Sequence, residues 1–133
     1  LALVGFMQTL ALEGAKYDIR VNALAPTAAT RMTEDLMPEA VLAALKPEAV
    51  VPAMLVLVGQ DAPTRTVLCA GAGSVEMANI TMTQGVWIGL GEDAPERLAA
   101  QLDAVRDRSG EMVPASGAAQ GNHEVARASA QLR

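Results

Sequence analysis

Few residues in this chain are of a type that does chemistry, and fewer stand where they could act together. There is one cysteine, Cys69, and one histidine, His123. A nucleophilic thiol needs a base beside it, which this chain does not offer, so Cys69 reads as a small buried residue on a strand. His123 lies between Asn122 and Glu124 with no second histidine or cysteine at ligand spacing, which speaks against a metal site. Gly71-Ala72-Gly73 lacks the third glycine and the following helix of a dinucleotide fingerprint. Arg97, Arg106 and Arg108 alternate with Asp103 and Asp107, as on a solvated helix face. What remains is Ala25-Pro26-Thr27-Ala28-Ala29-Thr30-Arg31-Met32-Thr33. Its small side chains would let backbone N–H and C=O groups approach a bound molecule, and the Thr30 hydroxyl could add one hydrogen bond. On chain pattern alone, a plain Pro/Ala/Thr connection is the simpler reading.

Composition narrows the classes. The chain has 133 residues, 51% of them hydrophobic and 19% charged, which is a globular rather than a disordered balance. A net charge of -5 and three aromatic residues (Phe6, Tyr17 and Trp87) argue against nucleic acid and anionic membranes as partners. The longest apolar run, Ala49 to Val58, contains Pro52 and is too short to span a bilayer. One cysteine excludes an internal disulfide. No secretory pattern is visible, and a cytoplasmic location is expected. Leu1 already lies inside a helical apolar pattern, so the amino terminus reads as a truncation.

The elements that must hold the 25–33 stretch follow from periodicity. Residues 1–16 predict a helix, with Leu3, Phe6, Met7 and Leu10 as its stripe and more apolar surface than one sheet can cover. Residues 19–24 predict a strand closed by Ala25-Pro26. Asn22, inside it, is expected to meet backbone or water. Helical pieces are expected over 38–45 and from Pro47 through Val58, then a buried strand over 66–70. Residues 75–88 suggest extended pieces, and 95–108 a helix with Asp93 as its cap. The last stretch, 111–133, is thin in apolar residues and predicts a mobile tail. Two strands joined through helices should be parallel. Two strands bury too little alone, so partner strands are required. The loop after β-strand 19–24 then lies at a strand's carboxyl end, where open α/β sheets bind ligands.

At Ile19-Arg20-Val21-Asn22-Ala23-Leu24-Ala25-Pro26 the pattern resembles the sixth strand and following loop of short-chain dehydrogenases/reductases. Ala2 to Glu13 resembles the helix that follows the family's active-site lysine, and Leu68-Cys69-Ala70-Gly71-Ala72-Gly73 its last sheet strand. Ala25-Pro26-Thr27-Ala28-Ala29-Thr30-Arg31-Met32-Thr33, Met37-Pro38-Glu39 and Ala44-Leu45-Lys46-Pro47-Glu48-Ala49-Val50, with Lys46-Pro47-Glu48 the most distinctive piece, are similar to the hydroxyacyl-CoA dehydrogenase part of peroxisomal multifunctional enzymes and their bacterial relatives. The resemblance covers roughly residues 1–90.

The resemblance implies the carboxyl-terminal part of a Rossmann-type doubly wound parallel α/β sheet, incomplete as it stands. Residues 1–90 would belong to the dinucleotide-binding domain, 91–110 to an appended helix and 111–133 to a flexible tail. It implies NAD or NADP as cofactor, faced by Pro26, Thr27, Ala28 and Thr30. It implies a small-molecule substrate, an acyl-CoA, met by Arg31, Met32 and Met37, and a parent activity in fatty acid metabolism. Arg31 has a solvated loop arginine as its alternative, and Met32, Leu36, Met37, Val41 and Leu42 have ordinary packing. A homo-oligomer or a missing amino-terminal half is the expected partner.

The departures bear on activity. The family's Tyr-x-x-x-Lys is absent: four residues after Tyr17 stands Val21. No catalytic residue is therefore assigned, and the fragment alone is expected to be inactive. The family's glycine after Pro26 is Thr27 here, and its hydroxyl residue could be Thr30 or Thr33. The alternative from another class is a non-enzymatic assembly or interaction module built on the same fold.

Overall fold

The computed structural model describes residues 1–33 and 35–131. The chain divides into two compact units, Leu1–Asn79 and Ile80–Arg133, so the division falls after Asn79, where the sequence placed one after residue 90.

The first unit opens with α1 (Ala2–Gly14), whose buried residues are Met7, Ala11 and Gly14. These are spaced four and three apart, one face of a helix. Of the expected stripe Met7 packs, whereas Leu3 is 78% and Phe6 62% exposed; the buried face is completed by the small residues Ala11 and Gly14.

The strand expected over 19–24 is displaced: β1 spans Ala23–Pro26. The cause is Asn22. Its Oδ1 accepts from Thr66 N at 3.1 Å, and its Nδ2 donates to Pro63 O at 2.7 Å and Leu57 O at 3.2 Å. A side chain thus takes the place where the ladder would have continued. Pro26 closes β1 from within. Ala23 N and Thr27 N donate to Thr66 O and Ala70 O at 2.9 and 2.8 Å. Strand alternation therefore puts the proline nitrogen, which has no hydrogen, on the opposite edge.

The crossover carries α2 (Glu39–Ala44), a 3₁₀ turn at Pro47–Val50, and α3 (Val51–Val58). Lys46 before Pro47 is extended (φ -59°, ψ 136°), as a residue preceding proline must be, and this separates the two helices. β2 (Val67–Gly71) runs parallel to β1, with Ala23 opposite Val67 and Pro26 opposite Ala70. β3 (Ser74–Ala78) returns antiparallel to β2, giving the sheet order β1-β2-β3. The return turn has Ala72 at φ 51° and Gly73 at φ 82°, the left-handed pair a two-residue hairpin needs. The core is small: Val50, Ala53 and Ala70 are buried, with Leu24, Ala28 and Leu68 packed on them.

The second unit holds α4 (Ala94–Ala100), α5 (Leu102–Arg106) and α6 (Ala119–Gln131). The single helix expected over 95–108 is interrupted at Gln101, which leaves helical geometry (φ -109°, ψ 11°) and donates to Leu98 O at 3.1 Å. Arg97 does not lie free on a solvated face. It donates to Ile88 O at 2.7 Å and Leu90 O at 3.2 Å and pairs with Asp93, tying the preceding loop to α4. Leu132 and Arg133 lie outside the described residues; within the stretch expected as a tail, Ala119–Gln131 forms α6. Its alanines favour helix even where apolar periodicity is weak. His123 Nε2 lies 2.9 Å from Gln84 O, and Arg127 Nη1 donates to the same oxygen at 2.7 Å, which docks one face of α6.

Candidate functional site

The loop after β1 is shaped by four anchors. Thr27 N donates to Ala70 O at 2.8 Å, extending the parallel ladder by one bond. Ala28 packs on the core formed by Val50, Ala53 and Ala70. Ala29 N donates to Leu45 O at 2.7 Å, which fixes the loop to the carboxyl end of α2. A tight turn then closes on itself: Thr33 Oγ1 accepts from Thr30 N at 2.9 Å and donates to Thr30 O at 2.9 Å.

That turn separates the two threonines. The single proton of the Thr33 hydroxyl is used within the turn. Thr30 Oγ1 accepts from Met32 N at 3.3 Å, and its own proton has no acceptor among the described residues. Among the same residues, Ala28 N and the Thr27 carbonyl also carry no hydrogen-bond partner. The segment thus presents a hydroxyl donor, an amide donor and a carbonyl acceptor within four residues. A flat ligand with both amide donors and an amide acceptor, such as a carboxamide, matches that set.

The other expected residues fall as follows. Pro26 ends β1, opposite Ala70. Arg31 is exposed and its guanidinium has no partner among the described residues. Met32 is 87% and Met37 37% exposed, and Leu36 and Val41 are exposed as well, while Leu42 is half-buried. Most of this apolar set therefore does not pack the crossover. Cys69 lies half-buried on β2 as a free thiol. Sequence reasoning missed the Ala29–Leu45 bond and the approach of Thr27 to Gly71, since both join residues far apart in the chain; only the glycine itself hints at the second.

The second unit has a cavity of about 380 Å³ lined by Trp87, Ile88, Gly89, Leu90, Arg97 and Gln101. Because Arg97 is committed to Asp93 and two carbonyls, this cavity offers an indole face without a free charge. Among the described residues no helix is long and apolar enough to cross a membrane, and no three His, Cys, Asp or Glu side chains gather as metal ligands would.

No family model matches the chain. Individual proteins do. A protein of Mycobacterium tuberculosis named as a short-chain type dehydrogenase/reductase is 52% identical over 77 residues, covering 57% of this chain and 27% of its own length. The peroxisomal hydratase-dehydrogenase-epimerase of Neurospora crassa is 39% identical over 117 residues, 86% of this chain and 13% of that protein. Peroxisomal multifunctional enzyme A of Dictyostelium discoideum is 42% identical over 89 residues, 66% of this chain and 20% of that protein. The chain thus spans under a third of each of these relatives. In structure it matches full-length peroxisomal multifunctional enzyme type 2 from Drosophila melanogaster with a TM-score of 0.70, 22% identity, and coverage of 98% of this chain and 23% of that one. That likeness carries the fold: an α/β portion of a Rossmann-type sheet.

The names correct one expectation. The Neurospora and Dictyostelium relatives are peroxisomal enzymes, which points to the peroxisome and overturns the cytoplasmic location. A missing secretory pattern does not separate the two compartments, because peroxisomal addresses are of another kind. Taken with the motifs at residues 19–33 and 66–73, the chain is similar to a short-chain type dehydrogenase/reductase and to part of the peroxisomal multifunctional enzymes.

Proposed function

We propose that this chain supplies the nicotinamide-facing loop, the substrate lid and subunit-contact surface of an NAD(P)-dependent oxidoreductase acting on 3-hydroxyacyl-CoA thioesters. The observation that carries this is the unspent polar set on the 27–30 backbone and on Thr30, held at the carboxyl end of a parallel strand. Pro26, Thr27, Ala28 and Thr30 orient the nicotinamide through its carboxamide. Arg31 meets a phosphate of the acyl-CoA. Met32 and Met37 line the acyl chain, for which flexible thioethers suit variable shapes. A bound nicotinamide would supply the hydride acceptor; this segment's own groups would hold its carboxamide and exclude water from the site. The general acid/base belongs to a Tyr-x-x-x-Lys that these residues do not contain.

Thr30→Val in the full-length protein tests the assignment. It keeps the shape and removes the hydroxyl, both its donor and the long 3.3 Å acceptor of Met32 N, so KM for the nicotinamide cofactor rises about 5- to 10-fold, the worth of one hydrogen bond to the ligand. Arg31→Ala raises KM for the acyl-CoA instead. Unchanged cofactor KM in Thr30→Val removes Thr30 from the site.

A second reading has its own observation. The exposed Leu3, Phe6 and Leu12 of α1 suit an assembly module that joins further copies or another chain. A protein that assembles through this helix but binds no NADH or NADPH would support that reading.

A further inference from the structure

We infer that Gly71, at the end of β2, is a positioning residue that sets where the nicotinamide loop sits. A Cβ at Gly71 would lie 2.7 Å from Thr27 O and 2.9 Å from Thr27 Cβ. No real side chain tolerates either distance, and the first atom is backbone, which cannot rotate out of the way alone. Thr27 is held against Gly71 by its own N–H bond to Ala70 O at 2.8 Å. Its neighbours are tied as well, with Ala28 in the core and Ala29 N bonded to Leu45 O. Any side chain at 71 therefore displaces Thr27 and, with it, the Thr27 carbonyl and Ala28 N–H. Glycine is required here for close approach, since Gly71 does not have a positive φ. The inference rests on the nicotinamide reading of this loop.

A neighbouring glycine supplies the control. Gly73 has φ 82°, yet a Cβ there meets nothing within 4 Å. Gly73→Ala strains the hairpin without touching Thr27. The experiment compares Gly71→Ala, Gly73→Ala and the double variant Gly71→Ala/Thr27→Gly in the full-length protein. NADH and NADPH binding is followed by nucleotide fluorescence, melting by circular dichroism, and kcat and KM on 3-hydroxyacyl-CoA. Misplacing a contacting group by a fraction of an ångström to one ångström costs about 10- to 100-fold. Gly71→Ala is expected to weaken nucleotide binding or lower kcat/KM for the nucleotide by that factor. Gly73→Ala loses comparable melting temperature and keeps both within about 2-fold. Thr27→Gly restores part of the loss, because glycine at 27 removes the Cβ and frees the carbonyl to turn. Equal effects of Gly71→Ala and Gly73→Ala would overturn the positioning role while leaving the nicotinamide reading intact. Absence of nucleotide binding in the unsubstituted protein would overturn both.

Discussion

Expressed alone, the 133 residues are expected to transfer no hydride between a nicotinamide and a 3-hydroxyacyl-CoA. Hydride transfer from an alcohol requires that the hydroxyl proton leave as the hydride does, and a positioned acid/base contributes about 10²- to 10⁴-fold to such steps. Tyr17 is the only tyrosine in the sequence, and it is poorly placed for that work. It is 69% exposed, with Lys16 Nζ over its ring at 4.9 Å. It precedes the amino end of β1, whereas the candidate loop follows the carboxyl end. In the proposed function the loop contributes orientation, and orientation without proton transfer leaves the barrier standing. The measurement is absorbance of NADH with 3-hydroxyacyl-CoA and NAD at saturating concentrations, comparing the 133 residues with a full-length protein that carries Tyr-x-x-x-Lys. A rate from the 133 residues above the uncatalysed background would show that the proton-handling group lies within them.

Asn22→Ala is expected to remove about 2–4 kcal/mol of stability, enough to unfold a unit with so small a core. One amide side chain serves three backbone groups: Leu57 O at the end of α3, Pro63 O in the following loop, and Thr66 N at the approach to β2. Truncation leaves all three without their partner, and each half-buried group then bears part of its desolvation cost. Asn22→Asp separates the donors from the acceptor. It keeps the bond from Thr66 N, but it turns a carboxylate toward two carbonyl oxygens, so it should destabilise as much as alanine or more. Arg20, which donates to Ala62 O at 3.1 Å and to Gln60 O, is a neighbouring clamp, and Arg20→Ala should cost less, since it releases two backbone groups rather than three. Denaturant midpoints of the three variants check the order. A midpoint for Asn22→Ala within error of the unsubstituted protein would mean that the 57–66 segment is held by something else.

The loop was legible in the sequence because Pro26 and the small residues behind it leave few other readings for a strand's end. The strand before it was legible in type and displaced in position. Alternation of Ile19, Val21 and Ala23 marks extended chain, but periodicity cannot show that the Asn22 side chain replaces a backbone partner. On α1 apolar size marks Leu3, Phe6, Met7 and Leu10, and of these the structure buries Met7, together with Ala11 and Gly14. Leu3 and Phe6 are exposed, so size alone does not mark the packed side. Helix α6 escaped notice for the opposite reason. It is held by hydrogen bonds from His123 and Arg127 to one carbonyl, a kind of contact that leaves no hydrophobic stripe. Thr30 and Thr33 could be told apart only from geometry, because hydroxyl protons are assigned by what lies within reach. The nearness of Gly71 to Thr27 depends on the register of two parallel strands, and register is a tertiary fact.

Hydrogen–deuterium exchange on the full-length protein, with and without NADH, tests the central claim most directly. Cofactor held by the loop after β1 slows exchange in peptides covering residues 27–33, above all at Ala28, whose N–H has no partner among the described residues. Saturating NADH that slows exchange elsewhere and leaves 27–33 unchanged would contradict the account.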